Sequence, residues 1–158
     1  MCRSFNVVRK VVRNFRDDTS GVILTESLLV LPVLSLFAFG IMEFGSILWQ
    51  RQQVQVGVRD AARYWSRCRP DFSNCSLQIA RNIAFYGNPT GTGPARVPGW
   101  TDAAELTLTP ATPPTSPVAA DTVSATGSVV YQGSPLFNFV LSSAVTIEYT
   151  HMERYIGW

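Results

Sequence analysis

Charged side chains and histidine are scarce in this chain of 158 residues. Only 15% of its residues are charged, against about 25% in typical soluble domains. Apolar residues make up 46%, which excludes a disordered polyelectrolyte and argues against an ordinary soluble enzyme of this size. His151 is the single histidine. The sequence also contains no nucleophile elbow, no phosphate-binding glycine loop and no helix with His and Glu at metal-binding spacing. We expect no catalytic residue, no metal and no cofactor.

Basic residues are scarce outside the first 20 positions. Five of the 13 Lys and Arg residues and two acidic residues precede Gly21, so the remainder carries 8 basic and 9 acidic side chains. That balance provides no basic surface for DNA or RNA, and we expect no nucleic-acid partner. The positive charge is concentrated in a leader of residues 1–21.

One long apolar segment follows this leader. The 16 residues between Glu26 and Glu43 are uncharged. Residues 27–49 form about 35 Å of helix, enough to cross a hydrocarbon core of about 30 Å. The alternative is a buried core helix, but a domain this small can hardly cover such a helix on all sides. We predict a transmembrane helix over residues 22–49. Arginines flank it on both sides, so the positive-inside rule does not decide its orientation.

The chain stays helical beyond the apolar segment. An apolar stripe with helical spacing predicts a helix extension over residues 50–67; its members are Val54, Val58, Ala61 and Trp65. Arginines on another side of this extension indicate a solvated face rather than a specific phospholipid site. A break at residues 71–74 precedes a second helix, which Ser73 or Asn74 could cap and Gly87 would end.

Residues 68–158 read as a small head of mixed structure. Seven of the ten prolines lie in residues 87–117, which predicts a long loop with a short strand near 105–109. Alternating apolar residues predict strands over 123–131 and 145–149. The run 136–141 is a further strand or an apolar turn. The expected fold is α+β and pilin-like: a long amino-terminal transmembrane and amphipathic helix, a short helix, and an antiparallel sheet of three or four strands.

Two of the three cysteines lie close together near the start of this head. Cys68 and Cys75 have six residues between them, whereas Cys2 belongs to the leader. On the periplasmic side of a membrane such a pair favours a disulfide. A metal site would need more ligands than these two thiols and a distant histidine. With the head on the periplasmic side, we predict a disulfide that links the end of the long helix to the next one.

The junction between leader and apolar helix carries the first family resemblance. Gly21 ends the polar leader, Val22 begins the apolar run, and Glu26 is the fifth residue after the glycine. This resembles the processing site of type IV prepilins, which a membrane aspartyl peptidase cuts after the glycine on the cytoplasmic side. Glycine suits a bond that a protease must hold in extended form. The resemblance implies cleavage after Gly21.

Motifs further along resemble the TadE-like family of tight-adherence (Tad/Flp) pilus proteins. They are Leu31-Pro32, Phe39-Gly40-Ile41-Met42-Glu43-Phe44-Gly45, Arg51-Gln52 and Arg59-Asp60-Ala61-Ala62-Arg63-Tyr64. The resemblance implies a TadE or TadF pseudopilin: a structural minor pilin, with no enzymatic activity, that primes or supports pilus assembly and so serves secretion or adhesion. It also implies a single-pass inner-membrane location with a periplasmic head, and it leaves open whether the protein is incorporated in the pilus. Implied partners are other pilins and pseudopilins, the prepilin peptidase, the Tad inner-membrane machinery and membrane lipids.

Two other functions remain open at this point. An uncleaved single-pass scaffold of an envelope complex would have the same apolar helix and the same head. A membrane-tethered periplasmic enzyme or binding head is the weaker possibility, and it would require a polar concave site near His151.

Two glutamates in the apolar helix are candidates for a role in register and assembly. Glu26 is four residues from Val22, whose amino group would become free on cleavage. An acidic side chain at the bilayer centre costs about 2.5–3.5 kcal/mol and less near the interface. A cation on its own or a neighbouring pilin would offset that cost, although Glu26 could instead extend to the headgroups. Glu43, 17 residues further on, is expected near the opposite interface.

Overall fold

The computed structural model describes residues 19–70, 75–115, 118, 121–134, 137 and 144–157. Most of the predicted leader, the predicted break at 71–74 with both suggested caps, and most of the run 136–141 lie outside the described residues. The chain divides into two compact units, Met1–Met42 and Glu43–Trp158.

The long helix, α1, covers Thr19–Ser66. By length and composition it is apolar enough to cross a membrane. Every side chain from residue 21 to residue 42 is exposed. Three hydroxyls in this part donate to carbonyls one turn earlier in the same helix, which satisfies them without water. They belong to Thr25, Ser27 and Ser35.

The carboxyl-terminal part of α1 is the central element of the second unit. The predicted apolar stripe is buried there, with Val54, Val58 and Ala61 fully inaccessible. Helix α2, Leu77–Tyr86, packs against this buried side of α1 through Ala80 and Phe85. The periodicity of 3.6 residues thus identified the core side of α1 correctly.

Helix α2 begins and ends on local signals. The side chain of Ser76 caps its first turn by accepting a hydrogen bond from Gln78 N at 3.2 Å. Ser76 therefore takes the capping role that the sequence suggested for Ser73 or Asn74. Gly87 ends the helix with φ 75°, in the left-handed region that glycine adopts without steric cost.

Three strands form an antiparallel sheet in the order β1-β2-β3. The strands are β1 Leu106–Thr109, β2 Thr122–Val130 and β3 Thr146–Arg154. Alternate residues of β2 are buried against the helices, as expected for a sheet with one covered face. A short 3-10 helix, Ala103–Glu105, precedes β1. Asp102 and Glu105 form a capping box at the start of this helix. The α+β architecture with a long helix and a small head is confirmed, with three strands among the described residues.

Trp100 fills the centre of the head and is fully buried. Two glycines, one in α1 and one in β2, leave room for its ring. A Cβ at Gly57 would lie 2.5 Å from the Ala84 carbonyl oxygen and 2.8 Å from the Trp100 ring. A Cβ at Gly127 would lie 2.5 Å from Val58 and 3.0 Å from Trp100. Close packing of α1, α2 and β2 therefore depends on the absence of these two side chains.

Candidate assembly helix and the Glu43 junction

The candidate processing site lies inside the first turns of α1. The described part of α1 covers Thr19–Ser66, so both Gly21 and Val22 are helical, and both are exposed. The sequence suggested a helix that starts at Val22, and the described helix already includes Thr19. A Cβ added at Gly21 would meet nothing within 4 Å. Cleavage after Gly21 would therefore require local unwinding, which glycine would make easier by about 0.5–1 kcal/mol relative to alanine.

Glu26 lies on the exposed part of α1, one turn beyond Val22. Its carboxylate has no hydrogen bond or ion pair within the described part of the chain. An unpaired carboxylate in an apolar helix favours an external cation or headgroup water. The geometry thus leaves Glu26 available to a partner.

Glu43 is in a different environment from Glu26. Its Oε1 accepts a hydrogen bond from the Tyr131 hydroxyl at 2.9 Å and one from Ser134 N at 2.8 Å. Gly133 lies in the same turn, where a Cβ would be 2.5 Å from this carboxylate oxygen. A charged acceptor with two donors makes strong hydrogen bonds. The carboxylate holds the turn after β2 against α1, and we call this contact the Glu43 junction.

Tyr131 is well suited to donate in this junction. The side chain is 7% exposed and packs edge-on against Phe137, with ring centroids 5.2 Å apart. Burial raises the pKa of the Tyr131 phenol above its ordinary value. The hydroxyl therefore keeps its proton, and its capacity to donate, through the neutral range. The partners Tyr131 and Ser134 were not found from the sequence, since they lie about 90 residues from Glu43.

We expect Glu43→Ala to loosen the turn at residues 131–134. Two donors would lose their common acceptor, at a cost of about 1–3 kcal/mol of unfolding free energy. Backbone hydrogen exchange of Ser134 should accelerate, because its N–H would lose its partner. Glu148→Ala is the matched control, since Glu148 is exposed on β3 and lies opposite Ser128 in the sheet. Unchanged protection of Ser134 in Glu43→Ala would contradict the role of the junction.

The structure joins Cys68 and Cys75 by a disulfide, with their Cα atoms 5.5 Å apart. Cys68 is the second residue after the end of α1, and Cys75 directly precedes Ser76, the capping residue of α2. The Cys68 carbonyl accepts a hydrogen bond from the Tyr155 hydroxyl. The disulfide thus lies where both helices and the segment after β3 meet.

Protein isolated with free thiols blocked should carry this disulfide. Breaking a disulfide that closes so short a loop lowers the free energy of unfolding by about 2 kcal/mol, because the unfolded chain gains conformational entropy. Reduction should therefore lower the midpoint of denaturant unfolding and increase protease cleavage near Pro70. Mass spectrometry after alkylation without reductant measures the linkage, and Cys2→Ser serves as the control that leaves the pair intact. Quantitative alkylation of both thiols would contradict this expectation.

The ionic contacts of the head are structural in character. Arg96 pairs with Asp60 at 2.7 Å and so ties the loop after α2 to α1. His151 lies 3.5 Å from Glu153, which also accepts a hydrogen bond from Ser66. No group of three or more His, Cys, Asp or Glu residues within the described ranges is arranged to hold a metal ion. His151 is half-buried on β3 and stacks on Tyr149.

Comparisons with known proteins bear on the long helix. The comparisons with curated proteins and with solved structures found no match. The sequence model of the family described as TadE-like protein matches residues 21–63, which is less than half of the chain. This range begins at the candidate processing glycine, includes Glu26 and Glu43, and ends within the part of α1 that the head covers. Over residues 21–63 the match confirms the resemblance to the TadE-like family, whose members are structural, pilus-associated pseudopilins with an amino-terminal apolar helix.

Proposed function

We propose that this protein is a minor pilin or pseudopilin of a Tad-type pilus, which primes or supports pilus assembly at the bacterial inner membrane. The observation that carries the proposal is the TadE-like match over residues 21–63, which coincides with a helix whose side chains are all exposed from residue 21 to 42. An exposed apolar surface of this length requires lipid or other apolar helices around it.

The proposed topology places the leader in the cytoplasm and the head in the periplasm. The placement of Cys68 and Cys75, with Cα atoms 5.5 Å apart, supports this orientation, because a disulfide between them would persist in the periplasm and would be rare in the cytoplasm. The Glu43 junction supports a bilayer boundary close to Glu43, since head residues contact α1 from that position onward. Processing after Gly21 would leave a mature chain that begins with the membrane helix.

The amino-terminal mass of the protein purified from membranes tests this proposal. A mature chain that starts at Val22 is the expected result, and it distinguishes a processed pseudopilin from an uncleaved scaffold. A chain that keeps residues 1–21 in cells with an active prepilin peptidase would overturn the processed pseudopilin. The scaffold would then be the better description.

Glu26 has a specific part in this proposal. Its carboxylate would pair with the new amino group of Val22, in the same chain or in a neighbouring pilin, and set the axial register between subunits. We expect Glu26→Gln to insert into membranes normally. Less partner pilin should co-purify with this variant in gentle detergent than with the wild type. Glu43→Gln is the control, because Glu43 already has partners inside its own head. Wild-type partner recovery and piliation by Glu26→Gln would show that Glu26 only reaches the headgroups.

A further inference from the structure

The segment before β2 has an unusual composition. Residues 109–117 contain four prolines, three threonines, one serine and one alanine, and no residue from 106 to 120 is charged. Segments rich in Ser, Thr and Pro are typical carriers of O-linked sugars, because proline keeps the backbone extended and the hydroxyls accessible. The composition alone gives this segment a second possible role besides that of a connector.

Side chains of the head form hydrogen bonds with backbone carbonyls of the described part of the segment. Trp65 Nε1 donates to the Pro110 oxygen at 2.8 Å. The Tyr155 hydroxyl lies 3.0 Å from the Pro114 oxygen and shares its single proton between this carbonyl and that of Cys68. Pro113 is buried between these two anchors. The backbone therefore lies in a defined place on the head, while its proline nitrogens have no hydrogen to pair.

Two threonines point away from this anchored backbone. Thr112 and Thr115 are exposed, and neither hydroxyl has a hydrogen-bond partner within the described ranges. Thr90 and Thr92 are exposed as well, but their hydroxyls lie 2.9 Å apart and pair with each other. Thr112 has Ala111 and Pro113 as neighbours, which are small and uncharged. A transferase can thus reach both hydroxyls without breaking an internal contact.

We propose that Thr112 and Thr115 are acceptor sites for O-linked glycosylation, with a polyprenyl-diphosphate-linked saccharide as the donor. The threonine oxygen attacks the anomeric carbon of the sugar, and a new C–O bond forms as the bond to the diphosphate breaks. The diphosphate leaves with the electron pair, and the hydroxyl proton passes to a base of the transferase. The inference rests on the proposed function, since the head must face the periplasm to meet such a donor.

The test uses full-length protein purified from cells of its own organism. After reduction, a protease that cuts before aspartate releases residues 102–120 as one fragment and residues 71–101 as another. We expect the first fragment to exceed its peptide mass by one or more sugar residues, and electron-transfer fragmentation to place them on Thr112 and Thr115. The second fragment, which contains Thr90 and Thr92, should have its unmodified mass.

Variants and a topology control make the outcome decisive. Thr112→Ala with Thr115→Ala should abolish the added mass on residues 102–120, whereas Thr90→Ala with Thr92→Ala should leave it unchanged. An unmodified fragment from protein that starts at Val22 and carries the disulfide would overturn glycosylation and leave the proposed function intact. A phosphate mass, or sugar on other hydroxyls only, would also overturn it. Retained leader and free thiols would instead mark failure of the proposed topology.

Discussion

Gly21→Leu should accumulate as an uncut chain that keeps residues 1–21, with the mature form starting at Val22 lost. A leucine side chain would occupy the space where a peptidase must grip the backbone. It would also strengthen the helix that has to unwind there, because leucine is favoured over glycine in a helix by up to about 1 kcal/mol. Amino-terminal mass spectrometry of the membrane fraction measures the ratio of the two forms.

The structure makes this experiment specific to processing. A Cβ at position 21 has no neighbour within 4 Å, so the substitution should not disturb the fold of the chain. Gly40→Leu is the matched control: Gly40 is also in α1 and also has no neighbour within 4 Å. We expect Gly40→Leu to be cut normally. A Gly21→Leu protein that still begins at Val22 would rule out cleavage through recognition of this glycine.

Gly57→Ala should destabilise the head, even though alanine is ordinarily the better helix former. The added methyl group would lie 2.5 Å from the Ala84 carbonyl oxygen, which belongs to the backbone of α2 and can yield only if that helix shifts. Overpacking of this kind costs about 1–3 kcal/mol. The gain of about 1 kcal/mol from replacing glycine within a helix offsets only part of this cost.

Tryptophan fluorescence of the full-length protein in detergent reports the effect. Trp65 and Trp100 are both buried in the head, and Trp100 contacts the region of Gly57. The denaturant midpoint of Gly57→Ala should fall below that of the wild type. Gly45→Ala should show no loss, since a Cβ at Gly45 meets nothing within 4 Å. Equal midpoints for the two variants would show that α1 and α2 do not pack as closely as described.

Periodicity and spacing predicted the elements that depend on local chemistry. The apolar run and the stripe of Val54, Val58 and Ala61 indicated a long helix with a buried side, and that side is buried. Alternation predicted β2 and β3, because side chains of a strand point to opposite faces in turn. Gly87 was predicted to end α2, and it does so with a positive φ.

Contacts between distant residues were beyond prediction from the sequence. Glu43 was expected near an interface, but a carboxylate accepts from any donor, and nothing in the pattern singles out Tyr131 or Ser134. The tight approach at Gly57 was equally hidden, because it depends on where Trp100 lies. Ser76 replaced the expected caps because the helix begins at Leu77. The contacts of Glu43 and Gly57 join elements whose relative placement no local signal encodes.

The amino-acid sequence by itself determined the apolar helix, its glycine junction, the cysteine pair and the alternation of the strands, because these follow from hydrophobic period, charge and spacing along the chain. The tertiary structure alone decided that Glu43 holds the turn after β2, that Gly57 and Gly127 admit Trp100, and that the threonines of the proline-rich segment stay unpaired. The contacts of Glu43, Gly57 and Gly127 form when one shared core brings together residues up to about 90 positions apart. Their geometry therefore depends on packing rather than on any local pattern.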